Sequence, residues 1–215
     1  RPRSALARQG RRRGVSPAAE LRPAGRPEAF VDRLGGNRGD RLAFLRRGLR
    51  GLAGHPEIEI TRVSGVWESE YVGAGSQAPY LNAVCLGRTE LAPGALLAVA
   101  KALEERLGRA PGGHLRPRTI DVDILLYGAR RLDGPRLALP HPRLGERGFV
   151  LAPLAEIAPE LVLPDSGETA AAAWARIRST GGPWLRPWPE TLVDPARPSD
   201  GDEEEWRAAV AVHRR

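Results

Sequence analysis

The stretch RPRTIDVDILLYG, residues 116–128, decides the fold. Its apolar residues alternate with two aspartates between Pro117 and Gly128, and this pattern predicts a strand. Successive strand side chains point to opposite faces, so Ile120, Val122 and Ile124 share one face and Asp121 and Asp123 share the other. At about 3.3 Å per residue the two aspartate Cα atoms stand roughly 6.5–7 Å apart. The alternation fits the wet face of an antiparallel sheet. It also fits a pair of carboxylates sharing hard cations, with Arg118 upstream to meet an anionic ligand. Leu125, Leu126 and Tyr127 make the strand apolar on both faces after its polar start, as in a strand that opens into a site at one end.

Upstream, FVDRL is expected to form a first strand, with Asp32 and Arg33 out of place in a buried one. The following LGGNRGD has Gly35 and Gly36 adjacent and does not match a GxGxxG phosphate loop. Asp40 can cap a helix in which Leu42, Leu45, Leu49 and Leu52 step along one face toward Gly54. IEITRVS at 58–64 and LNAVCLG after Tyr80 read as strands, separated by a Gly/Ala/Ser/Pro loop at 73–79. Tyr80 and Asn82, two apart, share a strand face, which suits stacking on a flat heterocycle and bonding to its edge, or simply packing beside a turn. Pro93 and Gly94 open a second helix with Leu96, Val99, Leu103 and Leu107 on one face. Glu104 and Glu105 near its end read as solvated surface. Residues 109–118 form a cationic Gly/Pro loop containing His114, RLALP is a further short strand, and an alanine-rich helix is expected from Glu168 to Arg178.

The formal net charge is +7. Residues 1–27 carry eight arginines against the single Glu20, which accounts for the whole excess and leaves the rest of the chain balanced. The basic character therefore belongs to a Pro/Gly/Ala/Arg segment with too little apolar surface to fold, and nucleic acid is not the expected partner of the domain. The expected organisation is a basic tail at 1–27, one domain at 28–190 and a Pro/acidic tail at 191–215. Cys85 is alone and lies in an apolar run, so a small core residue and a reducing cytoplasm are expected. No run approaches the ~20 apolar residues that span a bilayer.

In order, the chain holds GGN followed by GD, then WESE, PYLNAV, LGR at 107–109, PRTIDVDILLYG, LPHPRL and RGFVLAPLAEIAP. Over roughly residues 30–185 it resembles the 6-hydroxymethyl-7,8-dihydropterin pyrophosphokinases of folate synthesis. The fold expected is a single α+β domain, ferredoxin-like, with a mostly antiparallel sheet covered by helices and flexible termini, active as a monomer. The resemblance implies transfer of pyrophosphate from ATP to the pterin hydroxymethyl group, releasing AMP. It implies two Mg²⁺ ions on Asp121 and Asp123, with Arg109 and Arg118 engaging the phosphates and Arg109 delivered by a closing loop. Glu104, His141 and Arg147 fall at ATP-side positions. The pterin is expected between Tyr80 and Phe149, its edge read by Asn82 and by backbone near Ser69 and Val72. No general base is implied.

Leu115 and Arg116 depart from the family pattern in the loop before the aspartates, as do Asp32 and Arg33 in the first strand. The alternatives are a catalytically weakened homologue, a different two-metal nucleotidyltransferase, and an RNA-associated protein acting through the arginine tail.

Overall fold

The computed structural model describes residues 26–73, 75–109 and 116–192. Most of the basic tail, Leu115 and His114 of the 109–118 loop, and the acidic C-terminal segment beyond Leu192 lie outside the described residues. The RNA-associated reading rests on the arginine tail and so falls on residues outside the described ones.

Among the described residues eight strands and four α-helices follow in the order β1 (Glu28–Gly36), α1 (Arg41–Ala53), β2 (Ile58–Val63), β3 (Trp67–Ser69), β4 (Tyr80–Thr89), α2 (Pro93–Arg106), β5 (Asp121–Tyr127), β6 (Leu132–Asp133), β7 (Ala138–Leu139), α3 (Gly148–Ile157), α4 (Ala170–Ser179) and β8 (Leu185–Pro187). The main sheet is antiparallel. It runs β5–β1–β4, then β2 and β3 share the far edge of β4, and β8 adds outside β3. Through β1, α1, β2, β4, α2 and β5 this is the ferredoxin-like arrangement, two split β-α-β units in one sheet.

The leucine spacing is realised in α1. Asp40 accepts from Ala43 N at 3.0 Å, Gly54 closes the far end, and Leu45, Leu49 and Leu52 are buried. In α2, Pro93 occupies the first turn, where its missing N–H costs nothing. Both helices pack on one sheet face against Phe30, Leu34, Ile120, Val122 and Ile124. The opposite face is covered by α3 and α4, through Val150, Leu151, Leu154 and Ala173 against Val31, Val84 and Leu125. α3 has no side-chain cap at its start and contains Pro153, so little in its sequence announces a helix. Its apolar length and burial hold it in place.

Strand β5 lies at the edge of the sheet and begins only at Asp121, so residues 116–120 are not part of it as the sequence pattern suggests. The reason is Gly36, whose missing side chain lets the Thr119 carbonyl sit against the end of β1. Asn37 then clasps the segment. Its N–H donates to Arg118 O at 2.9 Å, and its side-chain Oδ1 accepts from Arg118 N at 2.8 Å. The GGN turn is thus a backbone clasp.

Asp32 and Arg33 do lie inside β1 and are both buried, on opposite faces of the central strand. Asp32 is paired across the sheet with Cys85 and Ile124, is 0% exposed, and has no hydrogen-bond partner on either carboxylate oxygen among the described residues. Burial, with Asp123 adding, pushes its carboxyl well above the ordinary 3.8. A group raised on folding stabilises least at high pH: its penalty is absent below the unfolded pKa and grows as pH rises toward the folded one. Asp32→Val should therefore raise the unfolding free energy at pH 7 by roughly 1–3 kcal/mol. The gain should shrink toward pH 4, with a slope of up to about 1.4 kcal/mol per pH unit. Denaturant titrations across pH check this, and a pH-independent difference would contradict it.

Candidate active site

Asp121 and Asp123 leave β5 on the face opposite Val122 and Ile124 and open into a cleft of about 740 Å³, within the usual range for a small-molecule site. The cleft also receives Arg33 from β1, Tyr80 and Asn82 from β4, Lys101 from α2, and Arg109 and Arg118 from the two ends of the connection into β5. His141 and Arg143 follow β7, and Arg147 and Phe149 sit at the start of α3. Ser69, Tyr71 and Val72 form the rim after β3.

Asp121 is the electrostatic centre. Arg109 Nη1 is 2.8 Å from its Oδ1, Arg118 Nη1 donates to its Oδ2 at 2.8 Å, and Arg33 Nη1 lies 3.6 Å away. Burial alone would raise its pKa, but the three guanidiniums together outweigh burial and hold it below the ordinary value. Basic side chains outnumber acidic ones in the cleft by more than two to one, although the chain outside residues 1–27 is balanced. Positive charge is therefore concentrated in this cleft, which suits a polyanion. Arg147 is lowered to about 10 by burial, with Arg143 and Arg33 adding, and stays charged at neutral pH.

His141 donates its backbone N–H to Leu125 O at 2.9 Å, and its Nδ1 accepts from Arg143 N at 3.1 Å. Burial, then Arg147 and Arg143, keep the imidazole below its ordinary pKa despite Asp123. With Nδ1 committed as acceptor, the neutral ring carries its proton on Nε2 and can donate it to a ligand.

Eleven of the twelve residues expected in the site line this one cleft. Glu104 does not. It is 1% exposed, contrary to a solvated helix end, because α2 packs on β5 just where its carboxylate can accept from Val122 N at 2.8 Å. The same carboxylate holds Lys101 at 2.8 Å and bonds Arg109. Its place is behind Arg109, where it fixes that guanidinium beside Asp121. The aromatic pair also has other company. Tyr80 is stacked with Tyr71, ring centroids 6.4 Å apart, and Phe149 lies under Arg33 and Arg147. Lys101, Tyr71 and above all Arg33 belong to the site without having been expected there. Arg33 reaches it only through the register of β1, which sets it opposite Asp123.

Residues 32–159 match the family model of the 7,8-dihydro-6-hydroxymethylpterin-pyrophosphokinases. The chain belongs to this family. It is 43% identical over 124 residues to a 2-amino-4-hydroxy-6-hydroxymethyldihydropteridine pyrophosphokinase of Bacillus subtilis, covering 58% of this chain and 74% of that one. It is 40% identical to the protein of that name from Methylorubrum extorquens, covering 69% and 92%. A mitochondrial folate synthesis bifunctional protein of Arabidopsis thaliana is 38% identical, over 72% of this chain and 27% of its own length. The fold resembles wild-type Plasmodium falciparum HPPK-DHPS with STZ-DHP, with a TM-score of 0.57 and 14% identity, covering 75% of this chain. This chain spans 45% of that longer one.

The carboxylate pair fits hard divalent cations. Two aspartates on one face provide hard oxygen ligands and stay partly open to the cleft, with side chains 11% and 22% exposed. Among the described residues no cluster of three or more His, Cys, Asp or Glu could enclose a metal alone, so the remaining ligands would come from phosphate oxygens and water. Because Glu104 holds Arg109, Lys101 and the start of β5, Glu104→Ala should cost about 2–4 kcal/mol in urea unfolding, through a stranded Val122 N–H and the loss of both ion pairs. Glu104→Gln, which can still accept from Val122 N–H, should recover part of the loss. A cost under about 0.5 kcal/mol for the alanine variant would contradict the buried assignment.

Proposed function

We propose that this chain transfers the terminal pyrophosphoryl group of ATP to the hydroxymethyl oxygen of 6-hydroxymethyl-7,8-dihydropterin, giving the pterin diphosphate and AMP in folate synthesis. The observation that carries this is the meeting, in one cleft, of a paired carboxylate on β5, converging guanidiniums, and aromatic and amide groups on β4 and α3. Family membership supports the same chemistry.

In the reaction the hydroxymethyl oxygen attacks the β-phosphorus and gives up its proton to water, the bond from that phosphorus to the oxygen bridging it to the α-phosphorus breaks, and the electron pair leaves on AMP. Asp121 and Asp123 would hold two Mg²⁺ ions, which supply charge neutralisation and polarise the phosphoryl oxygens. Arg109 and Arg118, which flank Asp121, would meet the phosphate oxygens. His141, neutral and protonated on Nε2, and Arg147 would bind the nucleotide. Tyr80 and Phe149 would stack on the pterin, with Asn82 and backbone near Ser69 and Val72 at its edge. Asn82 is pre-oriented, since its Nδ2 donates to Ser69 Oγ at 3.0 Å. No side chain is needed as general base, since positioning and charge stabilisation do most of the work in phosphoryl transfer.

AMP should form from ATP only when both the hydroxymethyldihydropterin and Mg²⁺ are present. Asp123→Ala should lower that rate by at least about a thousandfold. AMP release that ignores the pterin, or survives the loss of Asp123, would overturn the assignment.

A further inference from the structure

Arg33 lines the cleft without a part in the proposed chemistry, and it touches Asn82, Phe149 and both aspartates at once. Its Nε and Nη2 donate to Asn82 Oδ1 at 3.3 and 3.0 Å. Its Nη1 donates to Asp123 Oδ2 at 2.7 Å and lies 3.6 Å from Asp121 Oδ2. Its guanidinium carbon stands 5.0 Å from the centre of the Phe149 ring. The residue is 4% exposed. The seat is shaped for it: Gly35, next on the same strand face, has no side chain, and a β-carbon there would overlap the guanidinium.

We propose that Arg33 sets the affinity of this site for both the acceptor and the metal ions, as an internal cation that each must displace. Three facts of chemistry lead there. An amide oxygen has two lone pairs, and two Arg33 donors address both, so Asn82 Oδ1 has nothing left to accept from a heterocycle's N–H. A planar guanidinium over an aromatic face occupies the place a stacked ring would take. A guanidinium bonded to Asp123 neutralises the charge that would attract a divalent cation. Because one side chain blocks both ligands, whichever displaces it first prepares the seat for the other, and binding of the two is positively coupled.

The metal arm of this inference stands without the pterin assignment, and the acceptor arm rests on it. The test uses the full chain as wild type, Arg33→Ala and Arg33→Met, the last retaining the buried stem and serving if the alanine variant fails to fold. Free Mn²⁺, titrated by electron paramagnetic resonance without nucleotide, should bind both variants about tenfold or more tighter than wild type. Fluorescent 6-hydroxymethylpterin, titrated with Mg²⁺ and α,β-methylene-ATP, should bind Arg33→Ala about tenfold tighter, and Arg33→Met by less because its stem still covers Phe149. Unchanged Mn²⁺ affinity, or weaker pterin binding by Arg33→Ala, would overturn the proposal. Tighter Mn²⁺ binding with no pterin binding by any chain would uphold Arg33 as the internal cation and refute the pterin assignment instead.

Discussion

The site depends on one crowded carboxylate. Asp121 sits largely buried at the first residue of β5, and three guanidiniums from three separate segments converge on it. A buried carboxylate of this kind is tolerable only when charge-paired and hydrogen-bonded, so its partners must be delivered accurately. Arg118 is delivered by the Asn37 clasp, Arg109 by Glu104 at the end of α2, and Arg33 by the central strand itself. The sheet and helices serve this convergence, and the two hydrophobic layers keep the three sources in register.

A cluster of cations around two acids has two states available to it. Without ligand, the guanidiniums neutralise the aspartates. With a polyanion and hard cations present, the aspartates can turn to the cations and the arginines to the anion, so no charge is left unpaired in either state. Glu104 gives Arg109 a fixed anchor through that exchange, since its other bonds run to Lys101 and to the backbone of Val122 and do not depend on Asp121. Arg33 differs, because besides the aspartates it holds Asn82 Oδ1 and lies over Phe149, which Arg109 and Arg118 do not.

Much of this was legible in the sequence, for local reasons. The leucine steps of α1 and α2, the Asp40 cap and the face alternation of β5 all depend on neighbours within a turn or a pleat, and the structure follows them. What escaped depended on contacts distant in sequence. Glu104 looks solvated until α2 is laid against β5, and Arg33 looks misplaced until β1 is paired between β4 and β5. The start of β5 moved to Asp121 because Gly36 admits the Thr119 carbonyl, a close approach no periodicity records. α3 hides behind Pro153 and a run that is apolar all round.

The most direct measurement is a crystal structure with Mg²⁺, α,β-methylene-ATP and 6-hydroxymethylpterin bound together. In that complex the pterin ring should lie stacked between Tyr80 and Phe149, Asp121 and Asp123 should be turned to the metal ions, and the Arg33 guanidinium should be gone from Asn82 and the Phe149 face. A pterin bound elsewhere, with Arg33 still seated on Phe149 and paired with Asp123, would contradict this arrangement.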